Sequence, residues 1–195
     1  NSSISNILNQ SPWLIYWSSK HLSYSFYKSI SNNHQKVNQF PSATECTRKD
    51  SLTRNLMRMS QLFGYKSFSF LPESYVYPQE RDDILLAIRK DVNKKWIIKP
   101  AGSSQGRGIH IIEPELLCKN STTFAPDFNK LLPQARDNTD NFIVERYIDN
   151  PYLIEKRKFD LRLYVVVTSF NPLCIYLHQD GLIRLASDEY KNKDF

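Results

Sequence analysis

Apolar positions first fall at helical spacing in residues 47–64, "TRKDSLTRNLMRMSQLFG", where Leu52, Leu56, Met59 and Phe63 form a stripe. The stripe predicts a helix packed on a core. Thr47 is its expected N-cap, Asp50 the capping-box partner and Gly64 the stop. Lys49, Arg54 and Arg58 then fall on a solvated face. "SFSFLPESYVYP" alternates like a strand or extended segment, and "QERDDILLAIRK" predicts a second, shorter amphipathic helix. "KWIIKP" and "GIHII" read as short strands. Residues 114–140 are polar, carry Pro114, Pro126 and Pro133, and read as a loop. "NFIVERYI" is the next strand. "KFDLRLYVVVTS" reads as one long strand with Phe159, Leu161, Leu163 and Val165 on one face, and Lys158, Asp160, Arg162 and Tyr164 on the other. "LCIYLH" and "LIRLAS" flank "QDG" as a hairpin. Helices mixed with antiparallel hairpins predict an α+β fold. The expected organisation is an N-terminal unit at 1–66, a central lobe at 67–148 and the start of a further lobe at 149–195.

Composition sets outer bounds. The 195 residues are 41% hydrophobic and 13% aromatic, which indicates a folded chain. Net charge is +6, favouring acidic partners. Cys46, Cys118 and Cys174 are scattered, form no CxxC, and suit a reducing compartment better than a disulfide framework. No run reaches the roughly 18 apolar residues of a membrane span, and no nucleic-acid fingerprint is visible. The chain opens on Asn1 without Met and stops at Phe195, so a fragment of a longer protein is expected.

Three of the five glycines, Gly102, Gly106 and Gly108, lie within seven residues of "KPAGSSQGRG". Lys99 precedes them, so this is not a Walker loop, and the spacing is not that of a dinucleotide fingerprint. Glycines let backbone N–H groups approach an anion, while Ser103, Ser104, Gln105 and Arg107 add donors and charge. A tight surface hairpin and a phosphate lid both remain open from the loop alone. "KFDLR" has two readings as well: a solvated ladder of ion pairs, or the charged floor of a site. "IVERYIDNP" is either a plain strand end or a place where backbone groups read an adenine edge.

Together and in this order, "WIIKPAGSSQGRGI", "RYIDNPYLI" and "KFDLRLYVVVTSFNPLCIYLHQDGLIRLAS", with "HQKVNQFP" and "RKDSLTRNL" upstream, resemble the tubulin tyrosine ligase-like family of ATP-grasp ligases, most of all its polyglutamylase branch. The resemblance covers most of residues 34–190. It implies ATP held between two α+β lobes. By this resemblance Lys99 would contact the phosphates, Gln105 and Gly106 would lie in the covering loop, and Glu145, Arg146, Tyr147 and Ile148 would form the adenine hinge. Lys158, Phe159 and Asp160 would lie on the nucleotide side, with Arg162 next to the reacting groups. Arg184 would bind the carboxylate of an incoming free glutamate; an exposed pairing with Asp180, Asp188 or Glu189 is its other reading. Gln105 would also meet the protein substrate.

The implied reaction converts a carboxylate to an acyl phosphate at the expense of ATP, and the amine of free glutamate then attacks it. Magnesium is implied as well, with its ligands expected beyond residue 195, so the fragment alone is expected to be inactive. The acceptors would be tubulin C-terminal tails or other acidic segments, with no nucleic acid or membrane partner. The expected location is cytoplasmic, on microtubules, with a cilium or basal body as a further place. Two departures stand out. Glu145 occupies a position where the family commonly has Gln, and position 105 varies in the family between Arg and Gln, a choice associated with starting or extending glutamate chains. A glycine ligase and a non-catalytic microtubule-binding module are the alternative functions.

Overall fold

In the computed structural model of the chain, residues 13–30, 34–116, 128–133 and 141–191 are described. Most of the loop expected at 114–140, together with Cys118, lies outside them. The central element is a four-stranded antiparallel sheet, ordered β3 (Ser74–Tyr77), β6 (Phe142–Arg146), β4 (Trp96–Pro100), β5 (His110–Ile112). Its strands are short and rich in β-branched residues, and one connection is the expected one: "KWIIKP" and "GIHII" pair as a hairpin across the glycine loop.

The two faces of this sheet differ. Ile98 sits opposite Val144, so their side chains share a face. That face packs on Ile84, Leu85 and Ile88, with Trp96 and Leu132 completing the core. The three helix residues lie on α4 (Arg81–Lys90), the second helix read from the sequence. Burying such side chains contributes about 1.5–3 kcal/mol each. The other face carries Ile97, Lys99 and Glu145 and borders the cavity described below.

Before the sheet come β1 (Ile15–Tyr16) paired parallel with β2 (Lys36–Val37), α1 (Tyr24–Lys28), α2 (Thr44–Thr47) and α3 (Lys49–Phe63). The long helix α3 ends at Gly64, as its sequence predicts. Its start differs. Thr47 closes α2 by donating its hydroxyl to the Ala43 carbonyl (3.0 Å), and Arg48 takes the cap position without a side-chain bond. Asp50 makes no capping box. Its carboxylate, 2% exposed, instead accepts two hydrogen bonds from Arg48 (3.0 and 2.9 Å) and one from the Asn141 amide (2.7 Å). The expected apolar stripe is not a core face either: Leu52 and Met59 are each 37% exposed and Phe63 is 65% exposed, while Asp50, Ser51 and Ser60 are buried. The bond from Asn141 to Asp50 ties the start of α3 to the segment that leads into β6.

After the sheet, "KFDLRLYVVVTS" is two strands, not one. β8 (Arg157–Arg162) pairs with β7 (Leu153–Ile154) and β11 (Leu182–Leu185), whereas β9 (Val165–Phe170) pairs with β10 (Leu173–Leu177). The expected hairpin around "QDG" therefore does not form, because β10 and β11 belong to different sheets. Gly181 serves a close approach there: a Cβ would come within 2.9 Å of the Arg162 carbonyl oxygen. Phe40 packs edge-on against Phe170 at 4.7 Å, linking the N-terminal segment to β9. The architecture is α+β, with antiparallel sheets, one parallel pair of short strands and flanking helices.

Candidate functional site

Lys99 lies on β4, and its ammonium is ion-paired with the Glu145 carboxylate of β6. The pair spans neighbouring register positions, since Lys99 faces Ile143 and Ile97 faces Glu145. Both side chains are half-buried, 28% and 19% exposed. They border a cavity of about 230 Å³ whose walls include Ile97, Arg146, Tyr147, Ile148 and Lys158. The chain thus brings six of the predicted residues, Lys99, Glu145, Arg146, Tyr147, Ile148 and Lys158, around one space. Lys158 reaches it from β8. Its ammonium donates to the Tyr147 hydroxyl (3.2 Å) and lies 4.9 Å from the centre of the Tyr147 ring. A wider recess of about 890 Å³ continues past Ile111, Tyr147 and Lys158 to residues 186–191.

The space is suited to an anion with an apolar body. Two ammonium groups converge on it, and Ile97, Ile148 and Pro72 supply apolar wall. An incoming phosphate would compete with Glu145 for Lys99. Of the hinge amides, Arg146 donates to the Glu73 carbonyl (2.8 Å) and Tyr147 to the Lys95 carbonyl (2.9 Å). Those two amides hold the strand end in place and are not presented to a ligand.

The glycine loop between β4 and β5 turns through a run of positive φ at Gln105 (58°), Gly106 (74°) and Gly108 (71°). Such a path is open to glycine and strained for most other residues. Gln105 and Gly106 are exposed and are not among the residues lining the smaller cavity. Some loop amides bond within the loop: Arg107 donates to Ser104 (3.2 Å) and Ile109 to Gly106 (3.4 Å).

The residues that fasten this loop were not recognised in the sequence. Lys49, read as part of a solvated face, instead donates from its ammonium to the carbonyls of Pro100 (3.3 Å) and Ser103. Asn141 accepts from the Ala101 amide (2.8 Å) on its backbone carbonyl while its side chain holds Asp50. Arg48 holds the Asp50 carboxyl well below the usual carboxylate range, with help from Asn141 and the Ser51 amide against the opposing effect of burial. Only the adjacency of "RKD" to a helix start hinted at this, and that signal pointed to a cap.

On β8, side chains alternate as predicted. Phe159 points away from Lys158 and Asp160 and packs edge-on against Tyr152 at 6.1 Å, so the structure gives it a packing contact on the opposite face. Asp160 sits opposite Arg184 of β11 in register, and the Arg184 Nε and Nη2 donate to its two carboxylate oxygens (2.6 and 2.8 Å). The partner of Arg184 is therefore Asp160 and not Asp180, Asp188 or Glu189. That carboxylate raises the Arg184 pKa above its ordinary value. The Arg162 guanidinium carbon lies 5.8 Å from the Tyr164 ring. Arg157 donates to the carbonyls of Ala186 (3.2 Å) and Ser187, fixing the chain at the rim of the wider recess. Among the described residues, no three His, Cys, Asp or Glu side chains group so as to hold a metal ion, and no helix is long and apolar enough to cross a membrane.

Comparison with known proteins places this geometry. Over 178 residues the chain is 42% identical to the tubulin monoglutamylase TTLL4 of Homo sapiens, covering 91% of this chain and 13% of that protein. It is 39% identical over 174 residues to the tubulin polyglutamylase TTLL5 of Homo sapiens, covering 89% and 12%. With the tubulin polyglutamylase ttll-5 of Caenorhabditis elegans it shares 39% identity over 168 residues, covering 80% and 20%. The chain thus spans only a small part of the length of these relatives. The model of the tubulin-tyrosine ligase family matches residues 28–195, and the chain belongs to that family.

Proposed function

We propose that the protein is part of an ATP-dependent ligase that joins free glutamate to glutamate side chains in acidic protein segments, tubulin C-terminal tails foremost. The observation that carries this reading is the convergence of Lys99 and Lys158 on one apolar-walled cavity. Relatives that glutamylate tubulin support the choice of substrate.

In this reading the base of ATP lies against Tyr147 and Ile148, with Phe159 contributing from behind the nucleotide-side face as packing. Lys99 and Lys158 attract the phosphates, and the loop carrying Gln105 and Gly106 covers them. The terminal phosphoryl group passes to the acceptor carboxylate, giving ADP and an acyl phosphate. The amine of free glutamate, having lost a proton, attacks the acyl carbon and phosphate leaves, so an isopeptide bond forms. Positive groups near the transferring phosphoryl, Arg162 among them, stabilise the charge that develops there. Magnesium would supply further positive charge at the transferring phosphoryl group. The net charge of +6 helps draw in acidic tails, which aids encounter more than selection. Action in the cytoplasm on microtubules, with cilia or basal bodies as a further place, belongs to the same proposal, as does the division into units at 1–66, 67–148 and 149–195.

Arg184 separates glutamate from glycine as the added amino acid, since glycine has no side-chain carboxylate to occupy it. The test is incorporation of radiolabelled glutamate and glycine into tubulin by the full-length protein. Glutamate incorporation that depends on ATP is expected. Predominant glycine incorporation would move the protein to the glycine ligases, and no incorporation of either would favour a binding module.

A further inference from the structure

Among the described residues, Asp50 is the charged side chain withdrawn furthest from water, at 2% exposed. No step of the proposed reaction uses it. A buried carboxylate is costly unless charge and hydrogen bonds satisfy it. Here Arg48 donates to it twice and the Asn141 amide once, at 2.7 Å. The Asn141 side chain is held from both ends, because the Gln79 amide donates to its oxygen (3.1 Å). The Asn141 backbone carbonyl then accepts from the amide of Ala101 (2.8 Å), a buried residue that follows β4 at the root of the glycine loop. Lys49, beside Asp50, donates to the Pro100 and Ser103 carbonyls of the same root. The start of α3 therefore grips the loop where it leaves the sheet. The loop's return is also close-fitting: a Cβ at Gly108 would lie 2.9 Å from Pro100 Cγ.

We propose that Asp50 is a positioning residue for the glycine loop: acting through Asn141, it fixes the loop's root so that the loop stands ready over a bound nucleotide polyphosphate. The inference rests on the ligase reading, in which this loop covers the ATP phosphates, and deepens it. A loop that turns through positive φ at glycines has many paths open when its ends are loose. Ordering such a loop on the ligand subtracts from affinity. A root held beforehand removes part of that cost. Asp50 touches no substrate; its charge holds Arg48 and orients the Asn141 amide, and the Asn141 carbonyl holds Ala101.

The test uses the full-length protein. It reads ATP Kd by equilibrium titration, glutamate KM at saturating ATP, and amide hydrogen exchange by mass spectrometry. Asp50→Asn keeps the shape and removes the charge. ATP Kd should rise about fivefold or more, while glutamate KM stays within about twofold. Residues 101–108 should exchange about tenfold faster while α4 stays protected. Asn141→Ala, at a half-buried position, cuts the same tie from its other end and carries the same expectation should Asp50→Asn not fold. The double variant should bind ATP no more weakly than the weaker single, since the two residues act as one unit. Ile88→Ala, a core change on α4, should lower stability yet leave ATP Kd within about twofold. An ATP Kd unchanged in both Asp50→Asn and Asn141→Ala would overturn the proposal. An equal rise in Ile88→Ala would overturn it too, by making the effect one of general destabilisation. The wild-type control keeps the two levels apart. If wild type binds no ATP, the ligase reading falls and takes this role with it; if wild type binds ATP and both loop-root variants bind it equally well, the positioning role alone falls.

Discussion

At the residue scale, the site depends on charges whose partners lie far away in sequence. Lys49 reaches carbonyls 51 and 54 residues on, and Asp50 meets Asn141, 91 residues on. Asp50 gives a direct pH prediction. Its folded pKa is depressed by Arg48 and Asn141. A depressed carboxylate contributes stability above its unfolded pKa of about 4 and loses it as pH falls toward the folded value. Urea unfolding midpoints should therefore fall below about pH 4 in wild type and fall less steeply in Asp50→Asn, which should itself cost about 1–3 kcal/mol at neutral pH. Equal acid sensitivity in both proteins would show that Asp50 does not hold this position. These ties could not be read from the chain: local spacing pointed Asp50 to a cap, and a lysine beside it looked solvated.

At the element scale, strong local periodicity was legible and long-range pairing was not. The helix from Arg81 to Lys90 carries Ile84, Leu85 and Ile88 at helical spacing, and all three are buried. The stripe on α3 has the same spacing and stays largely uncovered, because nothing local distinguishes a helix gripped by its polar N-terminal turn from one packed by its apolar stripe. Ile88→Ala should cost about 2–5 kcal/mol, while Phe63→Ala should change stability by no more than about 0.5 kcal/mol. Chemical denaturation of the two variants checks this, and comparable losses would place Phe63 in a core. The run from Lys158 to Ser169 alternates without a glycine or proline, so its break at Leu163–Tyr164 left no mark in the sequence. The break appears only once β9 is seen to pair with β10 and β8 with β11. The same pairing sets Arg184 opposite Asp160, which is why the motif could nominate both residues while their contact stayed hidden.

At the scale of the whole molecule, one sheet does two jobs. Its covered face, with Trp96, Ile98 and Val144, builds the core against α4. Its other face presents Lys99 and Glu145 to a cavity that Lys158 completes from the next sheet. Family membership and the α+β class were legible because the motif residues lie in short contiguous runs. The state of the site was not legible, since the Lys99–Glu145 pair joins strands 46 residues apart. The central claim is that this cavity takes ATP with Lys99 on its phosphates, and equilibrium titration of the full-length protein with ATP tests it most directly. Lys99→Ala should weaken binding by about 1.5–3 kcal/mol, roughly tenfold or more, with the fold retained. An ATP affinity unchanged by Lys99→Ala would contradict the account.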